Sequence, residues 1–318
     1  MAPSFVIIRW SGMGDVVMAL PAVRLLKENF PGCRTTFLTD LPFAPLVELS
    51  GLVDRVIPLD RRGFETPGRR LSGVRSLFAA LAALSAAKPD VAFDLQGFGE
   101  TAVLARVSGA PVRVGRIKNS GLRKRIYNRA ITADWEQDHR ALYFSRVIAK
   151  SLGLAEPVAP EPPVLPSRFP DRSGLSVAGL NLGASTENRR WSLAHFLDLG
   201  KKLEKEGLSV RVFCGPQEAH ILPEVQAFCK DRGWDLVLSP STVRMVRGID
   251  ECRVLVSNDT GPGHVAAALG VPVATIFSTG DPDNVRPLAP ATAWFRDKED
   301  INRIRVEPVF EACMRLVG

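Results

Sequence analysis

Two glycine-bearing turns carry the side chains best suited to chemistry. The first, SGMGD, follows the apolar run at Phe5–Trp10 and brings Gly12, Gly14 and Asp15 to the start of a predicted helix. The second, SNDTGPGH at residues 257–264, follows another apolar run and precedes an alanine-rich helix. Such turns present unpaired backbone N–H groups and the positive end of a helix, which suits an anion such as a phosphate.

The first turn has two interpretations. Gly12, Gly14 and Val17 form a GxGxxV pattern between a strand and a helix, and Asp40 ends the next predicted strand, where a ribose-binding acid would lie. This makes NAD binding one hypothesis, although the third glycine is missing and Asp15 stands where a pyrophosphate would approach. Asp15 is either a helix cap or a carboxylate at the carboxyl edge of a parallel sheet, facing an interdomain cleft, where it could act as a general base.

The remaining pattern predicts the elements that position these turns. In the first half, predicted strands at 5–10, 35–39, 56–59 and 91–95 alternate with helices at 16–29 and 77–87. The proline-rich segment 155–173 interrupts the pattern, which then resumes with strands at 175–182, 209–213, 236–238, 254–257 and 271–277 and a helix at 193–206. Alternation of this kind predicts an α/β protein with two Rossmann-like parallel-sheet domains, at 1–160 and 161–305. A terminal helix at 306–318 is predicted to pack back on the first domain.

Composition favours a cytoplasmic globular protein. The 318 residues are 46% apolar and 24% charged, and no apolar run is long enough to span a bilayer or is arranged like a signal peptide. The five cysteines form no CxxC pair, so we expect reduced thiols with structural or incidental roles, and no metal site.

Positive charge is concentrated in the first half. Residues 1–160 hold 22 Lys/Arg against 14 Asp/Glu, whereas 161–318 hold 19 against 20. The window 101–133 has eight basic residues, Lys118 among them, and no acid. This window is either a solvated face or a surface for a polyanion; scarce aromatic residues and the lack of a recognisable motif argue against nucleic acid.

Three segments together resemble a known family. They are SGMGDVVMALPAV (11–23), NLGASTENRRWSLAHFLDLGKKL (181–203) and VSNDTGPGHVAAALGVPVATIFSTGDP (256–282). They are similar to the signature blocks of the bacterial ADP-heptose glycosyltransferases, family 9 of the glycosyltransferases. The segments 94–115 and 127–154 also resemble this family, in particular its heptosyltransferase I branch.

The resemblance implies a GT-B fold with the donor nucleotide on the second domain and the acceptor on the first. It implies inverting transfer of L-glycero-D-manno-heptose from ADP-heptose to the Kdo-lipid A inner core of lipopolysaccharide, without a metal or a tightly bound cofactor. It also implies a peripheral location on the cytoplasmic face of the inner membrane of a Gram-negative bacterium.

The resemblance further assigns donor-site residues. Asp15 matches the catalytic base, and Asp259 matches the residue that binds hydroxyls of the donor sugar. Arg189 stands where the family has a lysine that contacts the donor phosphates, so either Arg189 or Arg190 is expected to do so here. The full set of expected donor contacts is Gly14, Ser185, Thr186, Arg189, Glu218, Asp259, Thr260, Gly261 and His264.

Several of these assignments have a structural alternative. Ser185 and Thr186 could merely cap their turn, and His264 is either a phosphate contact or a structural hydrogen-bonding group. Glu218 lies either near the adenosine or on a solvated surface. Trp191 is expected to be a packing residue rather than a ligand contact.

The basic first half is expected to serve the acceptor, because Kdo-lipid A carries carboxylates and phosphates. The loop RRGFETPGRR (61–70) is the strongest candidate for these contacts. The expected acceptor residues are Gly12, Arg61, Arg62, Gln96 and Arg116.

Other functions stay open from sequence alone. They are a family 9 transferase with another sugar nucleotide or acceptor, including a second heptose, an NAD-dependent oxidoreductase, and a binding protein without catalytic activity. Sequence does not decide between the first Kdo and an existing heptose as acceptor.

Overall fold

The chain forms two compact units, Met1–Glu161 and Pro162–Gly318, which divide within the proline-rich segment. A computed structural model describes residues 2–117, 121–131, 134–238 and 241–318. The basic window 101–133, which is either a solvated face or a surface for a polyanion, includes Lys118, and this residue lies outside the described residues. None of the helices in the described part of the chain combines the length and apolar character that crossing a bilayer requires.

The first unit is a parallel sheet with helices on its faces. In the described residues its strands are β1 (Ser4–Ile8), β2 (Arg34–Asp40), β3 (Arg55–Leu59), β4 (Val91–Asp94), β5 (Val112–Gly115) and β6 (Arg129–Ala130). Its helices are α1 (Met13–Met18), α2 (Leu20–Asn29), α3 (Ala44–Leu49), α4 (Arg62–Glu65), α5 (Arg70–Ala87), α6 (Gly99–Val107), α7 (Gly121–Ile126) and α8 (Arg140–Leu152). The strand order is β3-β2-β1-β4-β5-β6, with every pair parallel.

The second unit repeats this plan. Within the same described ranges its strands are β7 (Val177–Asn181), β8 (Ser209–Cys214), β9 (Asp235–Leu238), β10 (Cys252–Asn258), β11 (Val273–Phe277) and β12 (Thr292–Arg296). Its helices are α9 (Leu193–Lys205), α10 (Leu222–Arg232), α11 (Thr242–Asp250), α12 (Gly261–Ala268), α13 (Pro282–Val285) and α14 (Val306–Val317). The order β12-β11-β10-β7-β8-β9 is again all parallel.

Both sheets therefore have the doubly wound order. In this order the first three strands are added toward one edge of the sheet and the next three toward the other, so the direction of strand addition reverses next to the first strand. The reversal lies between β1 and β4 in the first unit and between β7 and β10 in the second. Ligands of open parallel sheets bind outside the carboxyl ends of the strands at this point, because the flanking loops diverge there and leave a crevice. The two turns singled out from sequence directly follow β1 and β10, so each lies at such a position.

The predicted helix at 16–29 is wrong in one respect, because it is two helices. α1 ends at Met18 and α2 begins at Leu20, with Pro21 in the first turn of α2. Proline has no N–H to donate to a preceding turn, so it starts a helix readily and cannot continue one. The helical pattern is therefore interrupted at Ala19, which follows α1 and precedes α2.

The terminal helix α14 packs within the second unit. It contacts α9 and β10, and its buried residues Val306, Val309, Ala312 and Cys313 lie on one side of the helix. Three of these, Val306, Val309 and Cys313, belong to the core that lies over β7 and β10. The last segment of the chain is therefore part of the core that supports the second turn.

All five cysteines are buried and unpaired. Burial raises the pKa of Cys214, Cys252 and Cys313 to about 12 and that of Cys229 to about 11, and it also raises the pKa of Cys33. A raised pKa keeps the thiolate scarce at pH 8, and the thiolate is the reactive form.

We therefore expect the native protein to react with a chromogenic disulfide reagent at pH 8 at least about tenfold more slowly than the same protein in denaturant. Absorbance of the released thiol measures both rates, with the unfolded sample as control. Rapid reaction in the native state would contradict the structural role expected for these residues.

Candidate functional site

The turn after β1 holds Asp15 directly over Gly12. Gly12 is the N-cap of α1 with φ of 78°, a conformation that costs other residues about 1–2 kcal/mol. A Cβ on Gly12 would lie 2.8 Å from Oδ2 of Asp15. Asp15 lies in the first helical turn and its side chain is not the cap, so the capping interpretation of this residue is wrong. The carboxylate instead stays partly exposed at the carboxyl edge of the sheet.

Arg9 fixes the position of this carboxylate. Its guanidinium donates from Nη2 to Oδ2 of Asp15 and from Nη1 to the carbonyl of Leu95 at 3.0 Å. The side chain of Arg9 is buried, and its guanidinium carbon lies 5.4 Å from the ring centre of Phe144. Because Leu95 directly follows β4, this arginine links Asp15 to both strands at the reversal point.

Further positive charge surrounds the Asp15 carboxylate. The guanidinium carbons of Arg140 and Arg116 lie 3.3 Å and 4.8 Å from the ring centre of Trp135. The pKa of Arg140 is lowered, chiefly by burial. The negative charge of Asp15 opposes this shift, whereas the positive charges of Arg9 and Arg116 add to it. This edge of the first unit therefore has one partly exposed carboxylate among three arginines, which suits an anionic ligand that also carries a hydroxyl group.

Gln96 lies across from the first turn. Its Oε1 accepts a hydrogen bond from the N–H of Ser11 at 3.2 Å. The loop is held in turn by Asp94, whose Oδ1 accepts from the N–H groups of Gln96 and Gly97 at 2.9 Å each and whose Oδ2 accepts from the hydroxyl of Tyr127. Burial raises the pKa of Asp94. The side-chain oxygen of Gln96 thus binds the turn, and the side-chain amide nitrogen is the atom that could donate to a ligand.

The arginine-rich loop 61–70 is organised by Asp60. The carboxylate of Asp60 accepts from the N–H of Gly63 at 2.9 Å, from Arg69 at 3.0 Å and from the hydroxyl of Ser72 at 3.2 Å. At the start of the loop the guanidinium carbon of Arg61 lies 4.7 Å from the ring centre of Trp10. Arg61 therefore lies beside the first turn, whereas Arg62 is exposed on α4.

In the second unit, the turn after β10 is tied to the end of β7. The side-chain amide of Asn181 donates to the hydroxyls of Ser257 at 2.9 Å and Thr260 at 3.0 Å. Thr260 is the N-cap of α12, which begins at Gly261. The first N–H groups of this helix and its positive end thus lie at the reversal point of the second sheet, where they suit a phosphate.

Arg189 and Asp259 form an ion pair at this position. Nη2 of Arg189 donates to Oδ2 of Asp259 and to its carbonyl at 2.9 Å, while Nη1 donates to the hydroxyl of Ser185 at 3.3 Å. The carboxylate of Asp259 also lies against Gly280, since a Cβ there would be 2.6 Å from Oδ2. The structure thus brings together three predicted donor-site residues and balances the acid with a cation.

Arg190 has a different environment from Arg189. It donates to Glu187, to Glu218 at 3.4 Å and to the carbonyl of Ala184 at 3.4 Å. Glu218 is only 2% exposed and its Oε2 accepts from the N–H of Gly215 at 2.9 Å, so the solvated-surface interpretation of this residue is wrong. The carboxylate of Glu218 instead joins the loops that follow β7 and β8.

The other predicted residues lie close by. Thr186 donates to the side chain of Asn188 at 2.5 Å, and His264 is buried within α12. Trp191 is fully buried, its backbone N–H donates to Asn258 at 3.0 Å, and its ring N–H donates to the carbonyl of Ile304 at 2.8 Å. Trp191 is therefore a core residue that fixes the loop carrying Arg189.

Sequence reasoning missed Arg9, Asn181 and Arg140 as members of these sites. Arg9 and Asn181 each stand at or next to the last residue of the strand beside the reversal point. A polar side chain at the end of an otherwise apolar strand is the signal that would have found them. Nothing in the local sequence of Arg140 distinguishes it from other helix-terminal arginines.

Gly12 offers a test of how strictly the turn positions Asp15. We expect Gly12→Ala to lose about 1–2 kcal/mol of unfolding free energy through its positive φ, and to lose activity as well because its Cβ displaces the carboxylate. Gly51→Ala is the matched control, since Gly51 has φ of 66° but open space around its Cβ position. Urea unfolding and the initial reaction rate of both variants check this. Equal activity of the two variants would contradict the role of Gly12.

Comparison with known proteins identifies the family and the fold of this chain. A family model described as glycosyltransferase family 9 (heptosyltransferase) matches residues 77–308. Lipopolysaccharide heptosyltransferase 1 of Escherichia coli K12 is 26% identical over an alignment of 292 residues, with coverage of 87% of this chain and 88% of that protein. Lipopolysaccharide heptosyltransferase 2 of Salmonella typhimurium LT2 is 24% identical over an alignment of 307 residues, with coverage of 88% of this chain and 84% of that protein.

Solved structures show the same fold. The E. coli heptosyltransferase WaaC with ADP superposes with a TM-score of 0.83 at 21% identity, over 98% of this chain and 99% of that one. E. coli ADP-heptose lipopolysaccharide heptosyltransferase II superposes with a TM-score of 0.80 at 21% identity, over 99% of this chain and 98% of that one. These matches confirm the predicted GT-B class, with two Rossmann-like parallel-sheet domains. Since the family model covers more than half of the chain, the chain belongs to glycosyltransferase family 9, the heptosyltransferase family, and is a transferase enzyme.

Proposed function

We propose that this enzyme transfers L-glycero-D-manno-heptose from ADP-heptose to the Kdo-lipid A inner core of lipopolysaccharide, with inversion at the anomeric carbon. The observation that carries the proposal is the Arg189–Asp259 pair beside the N-terminus of α12, in a chain of family 9. An arginine and a helix N-terminus suit a diphosphate, and a carboxylate next to them suits the hydroxyls of the attached sugar. The names of the relatives support heptose and lipopolysaccharide as substrates.

In this proposal the second unit holds the donor. Arg189, Thr260 and the N–H of Gly261 bind the diphosphate and neutralise the charge that develops on it as ADP leaves. The hydroxyl of Ser185 accepts a hydrogen bond from Arg189, which places it beside the proposed diphosphate site as a further donor. Asp259 faces the neutral sugar, because a carboxylate directed at the phosphates would repel them.

Glu218 and Arg190 lie on the nucleoside side of the donor in this arrangement. Glu218 is held between the loops that follow β7 and β8, next to the loop that carries Arg189. A buried carboxylate with one cation and two N–H donors is fixed in place, which is what recognition of ribose hydroxyls requires. Thr186 and His264 complete the proposed contacts.

The first unit supplies the base and the acceptor site. Asp15 accepts the proton of the attacking acceptor hydroxyl, and Arg9 holds it in position for that transfer. Gly12 and Gly14 allow the acceptor sugar to approach the backbone closely, while Gln96 and Arg116 contact it. Arg61 and Arg62 bind its anionic groups from the loop that Asp60 organises.

No metal or tightly bound cofactor takes part in the proposed reaction, since Arg189 and the end of α12 supply the positive charge at the diphosphate. The acceptor is lipid-linked, so we also propose that the enzyme acts peripherally on the cytoplasmic face of the inner membrane of a Gram-negative bacterium.

A transfer assay tests the proposal. Purified enzyme is given ADP-heptose with Kdo-lipid A or with the same acceptor already carrying one heptose, and products are detected by mass, with the new linkage assigned by NMR. We expect one added heptose on Kdo-lipid A, inverted at the anomeric carbon, without added metal and in the presence of a chelator.

Two controls make the assay decisive. Other nucleotide sugars, such as UDP-glucose and GDP-mannose, test the donor, and preference for the heptosylated acceptor would assign the second transfer step instead of the first. Transfer from another nucleotide sugar but not from ADP-heptose would refute the proposed donor.

A further inference from the structure

The outer side of α5 is apolar and exposed to solvent. Arg70 and Arg75 are the only charged residues of its eighteen, and the helix has apolar residues on every side. Gly73, Ala80 and Leu84 are buried on its inner side. A helix that is apolar all round is normally buried on all sides, so the exposed side of α5 needs a partner.

Large side chains form this outer side. Leu71 is 63% exposed and Phe78 is 66% exposed, with Val74 between them on the same side of the helix. Phe64 of α4 is also exposed and lies beside α5, against Gly73. Spacings of three and four residues place Leu71, Val74 and Phe78 in one stripe along the helix.

The neighbouring helices extend this surface and make it positive. The inner sides of α5, α6 and α7 share one core cluster, so the three helices cover the same face of the first sheet. The exposed residues of α6 and α7 include Val103, Arg106, Lys124 and Arg125, while Glu100 is the exposed acid among them. We call the outer surface of α5, α6 and α7 the helical face.

We propose that the helical face binds an anionic lipid bilayer, with Leu71, Val74 and Phe78 inserted among the lipids and the surrounding arginines and lysines at the headgroups. The inner side of α5 packs against β3, so the helix lies along the membrane surface. A stripe of large apolar residues bordered by basic ones is the pattern of helices that bind at such interfaces. A protein partner or a second copy would not require the basic border.

The position of the stripe fits a lipid-linked acceptor. Helices of a parallel α/β sheet run opposite to its strands, so the N-terminal end of α5, with Leu71, lies at the same edge as Asp15. A sugar attached to an inserted lipid would therefore reach the edge where the base lies. Delivery of the acceptor sugar to Asp15 rests on the proposed function, whereas binding of the helical face to lipid does not.

Vesicle sedimentation with the full chain tests the inference. We expect binding to mixed phosphatidylethanolamine–phosphatidylglycerol vesicles and much weaker binding to phosphatidylcholine vesicles or at high salt. The double variant Leu71→Ser with Phe78→Ser should bind the anionic vesicles about tenfold or more weakly. The double variant Val243→Ser with Trp294→Ser, which removes exposed apolar residues from the second unit, should bind like the parent.

A label reports insertion directly. Because all five native cysteines are buried, Phe78→Cys can be labelled selectively with an environment-sensitive fluorophore. We expect a blue shift on adding anionic vesicles, with quenching by brominated lipid, and neither effect for the same label at Trp294→Cys. Absence of both effects at Phe78→Cys would overturn the inference.

The remaining outcomes separate this inference from its alternatives. If the Leu71/Phe78 variant transfers heptose to a deacylated acceptor like the parent and also binds vesicles like the parent, the helical face has another role. If light scattering shows a dimer that this variant converts to a monomer, the face joins two copies and the inference is wrong. Failure of transfer with every acceptor, while the parent still binds vesicles, would refute the proposed function alone.

Discussion

Replacing Asp15 with asparagine should reduce the turnover rate by about 100-fold or more. Asparagine has the same shape and can still accept a hydrogen bond from Arg9, but it cannot take a proton from the acceptor hydroxyl. Binding of ADP to the second unit should be unchanged, because the substitution lies in the first. Initial rates with saturating acceptor and calorimetric titration with ADP measure the two effects.

A matched variant separates chemistry from stability. Asp54 is also ion-paired in the first unit, with Lys27 at 2.6 Å, but it precedes β3 at the opposite edge of the sheet. Asp54→Asn should therefore keep the turnover rate of the parent. Asp15→Asn leaves the buried charge of Arg9 without its carboxylate, which should cost about 1–3 kcal/mol in urea unfolding. A folded Asp15→Asn enzyme with the turnover of the parent would remove Asp15 from the proposed role.

The second large effect is expected at Arg189. Arg189→Gln should weaken ADP binding by about tenfold to 100-fold and should reduce turnover further, because the charge on the departing diphosphate grows in the transition state. Adenosine, which has no phosphate, should bind as it does to the parent. Arg189→Lys restores the residue type expected for the family and should recover most of the activity.

Arg190→Gln is the control from the adjacent position. Removing the guanidinium of Arg190 leaves the buried carboxylate of Glu218 without its cation, so we expect the free energy of unfolding to fall by about 1–3 kcal/mol. Binding of adenosine and ADP should weaken to a similar extent, because both contain the nucleoside. If instead Arg190→Gln selectively weakened ADP binding and Arg189→Gln did not, the two roles would have to be exchanged.

The fold was predictable because its signals are local. Apolar runs alternating with helical periodicity predict strands and helices in turn, and such alternation permits few arrangements other than a parallel sheet covered by helices. The first turn was ambiguous for the same reason, since GxGxxV is a local pattern that several ligands can use. In the structure Asp40 is buried and accepts from the N–H groups of Leu41 at 3.1 Å and Arg61 at 3.3 Å. Membership of family 9 excludes the oxidoreductase interpretation.

The partners within each site were not predictable, because they depend on strand order. Arg189 and Asp259 are 70 residues apart, and Arg9 reaches a carbonyl 86 residues away. The sequence indicates that each of these residues follows a strand or a turn, but it does not say that β7 lies beside β10 or β1 beside β4. The pairing of Asp259 with Arg189 therefore appears only in the structure.

The burial of Glu218 had a local signal that was overlooked. Gly215 precedes a short 3-10 turn at Pro216–Glu218. A glutamate at the third position of such a turn commonly accepts a hydrogen bond from the backbone N–H of the residue that precedes the turn. That contact is present at 2.9 Å and directs the carboxylate inward. The spacing alone would have argued against a solvated surface for this residue.

The packing of α14 also has a consequence for how the protein is made. During synthesis the first unit has all its strands once Glu161 has emerged, so it can fold while translation continues. The core of the second unit includes Val309 and Cys313, and the ring of Trp191 is held by the carbonyl of Ile304. We therefore expect the second unit to become protease-resistant only after α14 has left the ribosome, well after the first unit.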